Sequence, residues 1–156
     1  MTVHAVLVII AHALLLVVGL WLLVIDARTH RLPHVIVLPT LAASLLAVIL
    51  EALLLHDATR LLRALAGMAL MGGFYLVLRL ISRGGMGGGD VKLAAVLGVV
   101  LGWHGWSPLA VGIAATFLLA ALYALTLMAL RRATGATRIA LGPWMILGAI
   151  LAIAAS

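Results

Sequence analysis

Long apolar runs, broken at short intervals by a few polar residues, organise this chain. Residues 5–25 are apolar apart from His12, and 35–55 follow with Pro39 near the start and Glu51 near the end. Residues 64–81 form a third run with Arg79 near its end, and 109–130 and 139–155 form two more. At 1.5 Å of rise per residue each is near the length that crosses ~30 Å of hydrocarbon, so each predicts a transmembrane helix. No basic stretch precedes the first run and no A-x-A site closes it, which reads as a retained helix rather than a signal peptide. A remaining run, 91–106, amounts to only ~24 Å of helix. Before it lies Gly84-Gly85-Met86-Gly87-Gly88-Gly89-Asp90, whose five glycines make regular helix costly. Non-helical backbone at membrane depth survives only where protein buries it or water reaches it. The expected architecture is all-α: one polytopic membrane domain over 1–156, with six transmembrane helices and a short fourth.

Composition sharpens this picture. Of 156 residues, 67% are hydrophobic and 9% charged, with a mean hydropathy of +1.35. A soluble domain carries about 25% charged residues, and a disordered chain cannot hold so much apolar surface. The absence of cysteine excludes disulfides, thiolate metal sites and a cysteine nucleophile. The net charge of +6 does not point to nucleic acid, because no aromatic or glycine platform accompanies the arginines. Its distribution instead sets a topology. Arg28, Arg31, Arg79, Arg83, Lys92, Arg131, Arg132 and Arg138 follow odd-numbered spans, whereas only Arg60 and Arg63 follow even ones. The positive-inside rule then turns both termini outward and makes the larger group cytoplasmic, in a cell (inner) membrane.

The chain has only four carboxylates: Asp26, Glu51, Asp57 and Asp90. Asp57 reads as a solvated loop acid or helix cap, and Glu51 as an acid that snorkels or pairs with Arg60 or Arg63. Asp26 ends the first span and Asp90 opens the fourth, and the topology puts both on the cytoplasmic face. Two carboxylates at similar depth are the minimum equipment for aspartyl hydrolysis, one activating water and the other protonating the carbonyl or leaving group. A helix C-terminus disfavours charge on Asp26, while a helix N-terminus and Lys92 favour it on Asp90, so Asp90 is expected to be the ionised partner. Each acid also has a plainer role open to it, Asp90 as an N-cap and Asp26 as a partner of Arg28.

Other features carry less. His30 and His34 have metal-ligand spacing only along a helix, which Pro33 opposes, so neither metal nor cofactor is expected. His12 reads as hydrogen-bonded within the bundle. Trp103, His104 and Trp106 read as an aromatic belt at the outer interface. Gly67, Gly72 and Gly73 read as helix-packing positions.

Gly87-Gly88-Gly89-Asp90-Val91-Lys92-Leu93 resembles the G-x-G-D-x-K-L signature of the type IV prepilin peptidases, membrane aspartyl proteases of the GxGD group. Asp26-Ala27-Arg28-Thr29-His30-Arg31-Leu32-Pro33 resembles the first aspartate motif of that family, although His34 stands where Asn or Asp is common. Leu141-Gly142-Pro143-Trp144 is similar to its Gly-Pro-aromatic segment. The resemblance implies that Asp26 and Asp90 are the catalytic pair and that Gly87, Gly89 and Lys92 belong to the loop admitting the scissile peptide. It also implies cleavage of the short basic leader (class III signal peptide) of a prepilin, just after a glycine, at the cytoplasmic face. Larger members carry an N-terminal cysteine-rich extension and also N-methylate their product. With no cysteine and few residues before its first span, this chain is expected to be a short, peptidase-only form, similar to those serving Tad-type pili. A small ion-coupled transporter using Asp26 and Asp90 explains the intramembrane acids equally well, but not the Leu-Pro or D-x-K contexts. The pattern offers no coiled-coil or soluble interface from which an oligomeric state could be read.

Overall fold

Hydrocarbon supplies no hydrogen bonds to a backbone, so apolar runs of this kind must satisfy their own amides and carbonyls by winding into helices. The computed structural model describes residues 17–19, 21, 34–82, 86–132 and 140–156. Among these the chain is helical, without strands: α1 (His34–Leu55), α2 (Ala58–Ile81), α3 (Gly88–His104), α4 (Trp106–Ala129) and α5 (Gly142–Ala154). Residues 17–19 and 21 are helical too. The expected span 5–25 otherwise lies outside the described residues. Among the described residues three segments are long and apolar enough to cross a membrane: Ile36–Leu55, Ala58–Ile81 and Trp106–Ala129. Leucines such as Leu53, Leu62, Leu80, Leu118 and Leu125 stand exposed along them, as a lipid-facing surface requires.

Three boundaries differ from the sequence expectation. Helix α2 begins at Ala58, because Asp57 caps it by accepting a hydrogen bond from the Arg60 amide (3.1 Å). Helix α3 takes in Gly88 and Gly89, so part of the glycine run is helical after all. Trp106 opens α4 rather than completing the short helix. Between them Gly105 turns the chain in a single residue, at a φ of 153° that side-chain-bearing residues rarely adopt, while its amide still bonds Leu101 O (2.9 Å).

Helix α3 is the centre of the bundle. Leu93, Ala94, Val96, Val99, Leu101 and Trp103 are all buried on it. Its burial against the antiparallel α2 rests on backbone meeting backbone. A Cβ on Gly67 would strike the Gly98 carbonyl, a Cβ on Gly98 would strike that of Gly67, and one on Gly102 would come within 2.7 Å of the Arg63 carbonyl. Gly72 faces the Ala95 methyl, 3.3 Å from where a Cβ would stand, whereas nothing stands near Gly73. Helices α4 and α5 close on each other through Gly112 and Gly148, beside the buried Thr116. Small residues that let backbones approach are the usual basis of helix association in membranes.

The far end of α3 is capped from outside. Arg63 of α2 donates through Nε to the Gly102 carbonyl (2.8 Å) and through Nη2 to that of Trp103 (2.9 Å). A cation at a helix C-terminus also complements its dipole. Trp103 is therefore buried, at 5% exposure, and forms core rather than interfacial belt, while Trp106 stays exposed.

Two expectations follow for thermal unfolding in detergent. Gly98→Ala should cost ~3 kcal/mol or more, since its new methyl meets backbone that cannot yield, whereas Gly73→Ala should be neutral or stabilising by up to ~1 kcal/mol. Arg63→Met, which keeps the apolar stem, should cost about 2–3 kcal/mol through the loss of two charge-assisted bonds.

Candidate active site

The register of α2 against α3 decides what surrounds Asp90. Gly72 meets Ala95, and further along the Arg79 guanidinium lies against Gly88, 2.5 Å from where a Cβ would stand. Only glycine leaves Arg79 that position over the start of α3. Gly87 is the N-cap and exposed, while Gly89 is buried in the first turn. Of the two glycines expected to admit a peptide, Gly87 thus lies at the surface and Gly89 inside the helix. Gly88, not singled out from the sequence, is the one against which the end of the long Arg79 side chain rests.

Asp90 sits at the third position of α3, not at its N-cap. Its Oδ2 reaches back to accept a hydrogen bond from the Gly87 amide (3.2 Å), satisfying one of the donors a helix start leaves open. The carboxylate is half-buried at the mouth of an otherwise buried helix. Lys92, one residue beyond Val91, is half-buried on the same helix. Arg79, Lys92 and the helix N-terminus all favour negative charge at this end. Asp26, the other expected catalytic acid, lies outside the described residues, as do His12, His30, Arg28 and Arg31. Gly142 is buried at the start of α5, with Pro143 in its first turn and Trp144 against Tyr123 (ring centroids 4.9 Å apart).

One further group stands at this level. Tyr75 of α2 is fully buried, stacked on Phe117 of α4 (5.9 Å) and edge-on to Phe74 (5.5 Å). It shares a core cluster with Leu93, Val37 and Met145. The sequence held one signal for it: it is the lone hydroxyl-bearing residue on the buried stripe Ala64, Gly67, Met71, Tyr75.

The opposite end of α3, ~20 Å away along its axis, carries a cavity of about 430 Å³ lined by Glu51, Asp57, Thr59, Arg60, Arg63, Trp103 and His104. Here the two arginines expected as partners of Glu51 are otherwise engaged: Arg60 pairs with Asp57 (2.9 Å) and lies over the Trp103 ring, and Arg63 caps α3. His104 Nδ1 bonds the Val100 carbonyl at 2.9 Å. Among the described residues no three His, Asp or Glu side chains come together as metal ligands.

Comparison with known proteins agrees with the motif reading. The chain is 33% identical over 129 residues to a prepilin leader peptidase/N-methyltransferase of Pseudomonas aeruginosa, covering 83% of this chain and 43% of that protein. It is 37% identical over 134 residues to the Escherichia coli K12 protein of the same name, covering 85% of this chain and 57% of that one. The chain thus spans about half the length of these curated relatives. No solved structure matches. The type IV leader peptidase family matches residues 13–130, a stretch that contains both Asp26 and Asp90. By that match, over most of its length, this chain belongs to the type IV leader peptidase family.

Proposed function

We propose that this protein is a membrane aspartyl endopeptidase that removes the short basic leader from prepilin-like precursors at the cytoplasmic face, with Asp26 and Asp90 as its catalytic pair. The observation that carries this reading is the G-x-G-D-x-K-L segment within the family match, which starts a buried helix and leaves its one carboxylate at the mouth. Only the peptidase part of the relatives' printed name is proposed for this chain. Ion-coupled transport is not favoured, because the family match accounts for the sequence around both acids.

Six spans are proposed, with α3 as the short fourth and both termini outward. Charge supports that orientation: Arg79, Lys92, Arg131 and Arg132 lie toward the Asp90 end of the bundle and Arg60 and Arg63 toward the other. The leader's basic residues would stay in cytoplasmic water, and the pilin's apolar helix would remain in the bilayer. Gly87 at the surface leaves backbone open to an extended peptide, and Lys92 adds positive charge near the ionised acid.

In the reaction, one carboxylate takes a proton from water as its oxygen attacks the scissile carbonyl, and the other protonates the carbonyl oxygen. The tetrahedral intermediate then collapses, the amide nitrogen receives a proton and the carbon–nitrogen bond breaks. Leader carboxylate and mature pilin amine are the products. No cofactor enters this scheme.

The test is cleavage of a co-expressed prepilin in membranes. Wild type should shorten it by its leader, and Asp26→Asn and Asp90→Asn should each lower the rate at least ~100-fold while inserting normally. Full cleavage by both variants would sink the dyad and return the transporter to consideration.

A further inference from the structure

Tyr75 presents a cost that packing does not explain. Its ring is fully buried, yet its hydroxyl meets no hydrogen-bond partner among the described residues. Thr116 stands beside it and, donating its own proton to the Gly112 carbonyl at 2.7 Å, keeps its lone pairs for the phenol, yet the two do not meet in hydrogen-bonding geometry. The other buried hydroxyl, Ser44, is likewise bonded, to Leu41 O at 2.9 Å. A phenylalanine would pack on Phe117 and Phe74 equally well without burying an unpaired polar group.

The position of this hydroxyl suggests what it is for. Gly72 facing Ala95 and Arg79 facing Gly88 bracket Tyr75, which therefore lies opposite the first turns of α3, within about one turn of Asp90. The Asp90 carboxylate is close enough to act electrostatically on the phenol. Asp90 itself is held at 3.2 Å from the Gly87 amide, a long contact for a charge-assisted bond.

We infer that Tyr75 is a positioning residue for Asp90: in the working enzyme its hydroxyl donates to the Asp90 carboxylate, directly or across one water molecule. The inference rests on the peptidase reading above. As Asp90 turns from the Gly87 amide into the bundle to meet substrate, it gives up one donor, and the Tyr75 hydroxyl replaces it where water is scarce. The rigid aromatic stack on Phe117 fixes the direction of that donor before the carboxylate arrives. Donation to the charged form keeps Asp90 ionised, as a base toward water must be.

Other charges also face Asp90, and they fix the sign of the test. From α2 these are Arg79, whose guanidinium lies on Gly88, and from α3 itself Lys92. Helix α1 starts at this end with His34, Arg131 and Arg132 follow α4 there, α4 itself has only Tyr123 as an ionisable residue, engaged with Trp144, and α5 has none. Arg79 and Lys92 remain in a Tyr75→Phe variant, so the change isolates the phenol.

The experiment compares wild type, Tyr75→Phe and Asp90→Asn on a synthetic precursor bearing a short basic leader, a glycine and an apolar helix, together with thermal unfolding of each protein in detergent. Tyr75→Phe should unfold at the wild-type temperature or above, lower kcat about tenfold with KM little changed, and move the acid limb of the pH–rate profile upward by ~0.5–1 unit. A drop of several degrees in unfolding temperature would show that the hydroxyl is spent on structure, and would overturn the inference whatever the activity. Wild-type kcat and an unmoved acid limb in Tyr75→Phe would overturn it alone, provided that Asp90→Asn is inactive. Absence of cleavage by wild type would overturn the peptidase reading, and this one with it.

Discussion

Gly67 and Gly98 touch through their backbones, and that contact sets the geometry of the rest. Because neither position carries a side chain, α2 and α3 approach closely from Gly102 to the Gly67–Gly98 contact, with the Ala95 methyl against Gly72 beyond it. Close approach makes the register unambiguous: sliding one helix past the other by a residue would drive Cβ atoms into carbonyls. A fixed register in turn assigns neighbours. It sets Arg63 on the last carbonyls of α3, Arg79 on its first glycine and Tyr75 at the level of its opening turns. Asp90 thus inherits its electrostatic surroundings from a steric fact some ten residues away.

The same pair of helices shows how polar groups are handled where lipid offers them nothing. Most hydroxyls bond back to a carbonyl within their own helix, as Thr40 does to Ile36 (2.8 Å) and Thr126 to Leu122 (2.7 Å). Arginine is used differently. Arg63 satisfies carbonyls that α3 cannot satisfy itself, and Arg60 divides its charge between Asp57 and the face of Trp103. Against that background of satisfied groups, the Tyr75 hydroxyl is the exception among the buried side chains of the described residues.

Much of this arrangement was legible in the residues. Membrane-length helices over the runs at 35–55, 64–81 and 109–130, the short central helix, Asp57 as a cap and Gly67 and Gly72 as packing positions all follow from hydropathy, glycine and capping chemistry. The motif around Asp90 was equally plain, and it carried the family. What escaped was which way each helix faces. In water, an apolar stripe reveals the buried side; in lipid both sides are apolar, so periodicity carries little directional information. Trp103 therefore read as an interfacial residue although it is core, and Tyr75 passed unnoticed among leucines. Arg63 counted toward topology and as a partner for Glu51, because only the three-dimensional register brings it to Gly102 across 39 positions of sequence. Gly88 escaped for the same reason, since the guanidinium it accommodates belongs to another helix.

The shortness of α3 has a consequence for water. Its 17 residues rise ~25 Å, whereas the 24 residues of α2 or α4 rise ~36 Å, so the central helix stops short of its neighbours. At its C-terminal end, between the longer α1 and α2, α3 meets its length deficit as a recess in the protein, open to solvent. The cavity beyond Trp103 and His104 is such a recess, floored by polar side chains. For a hydrolase centred on Asp90, a carboxylate that is only half-buried lets the second reactant come in from bulk solvent, while the apolar half of the first never has to leave the bilayer.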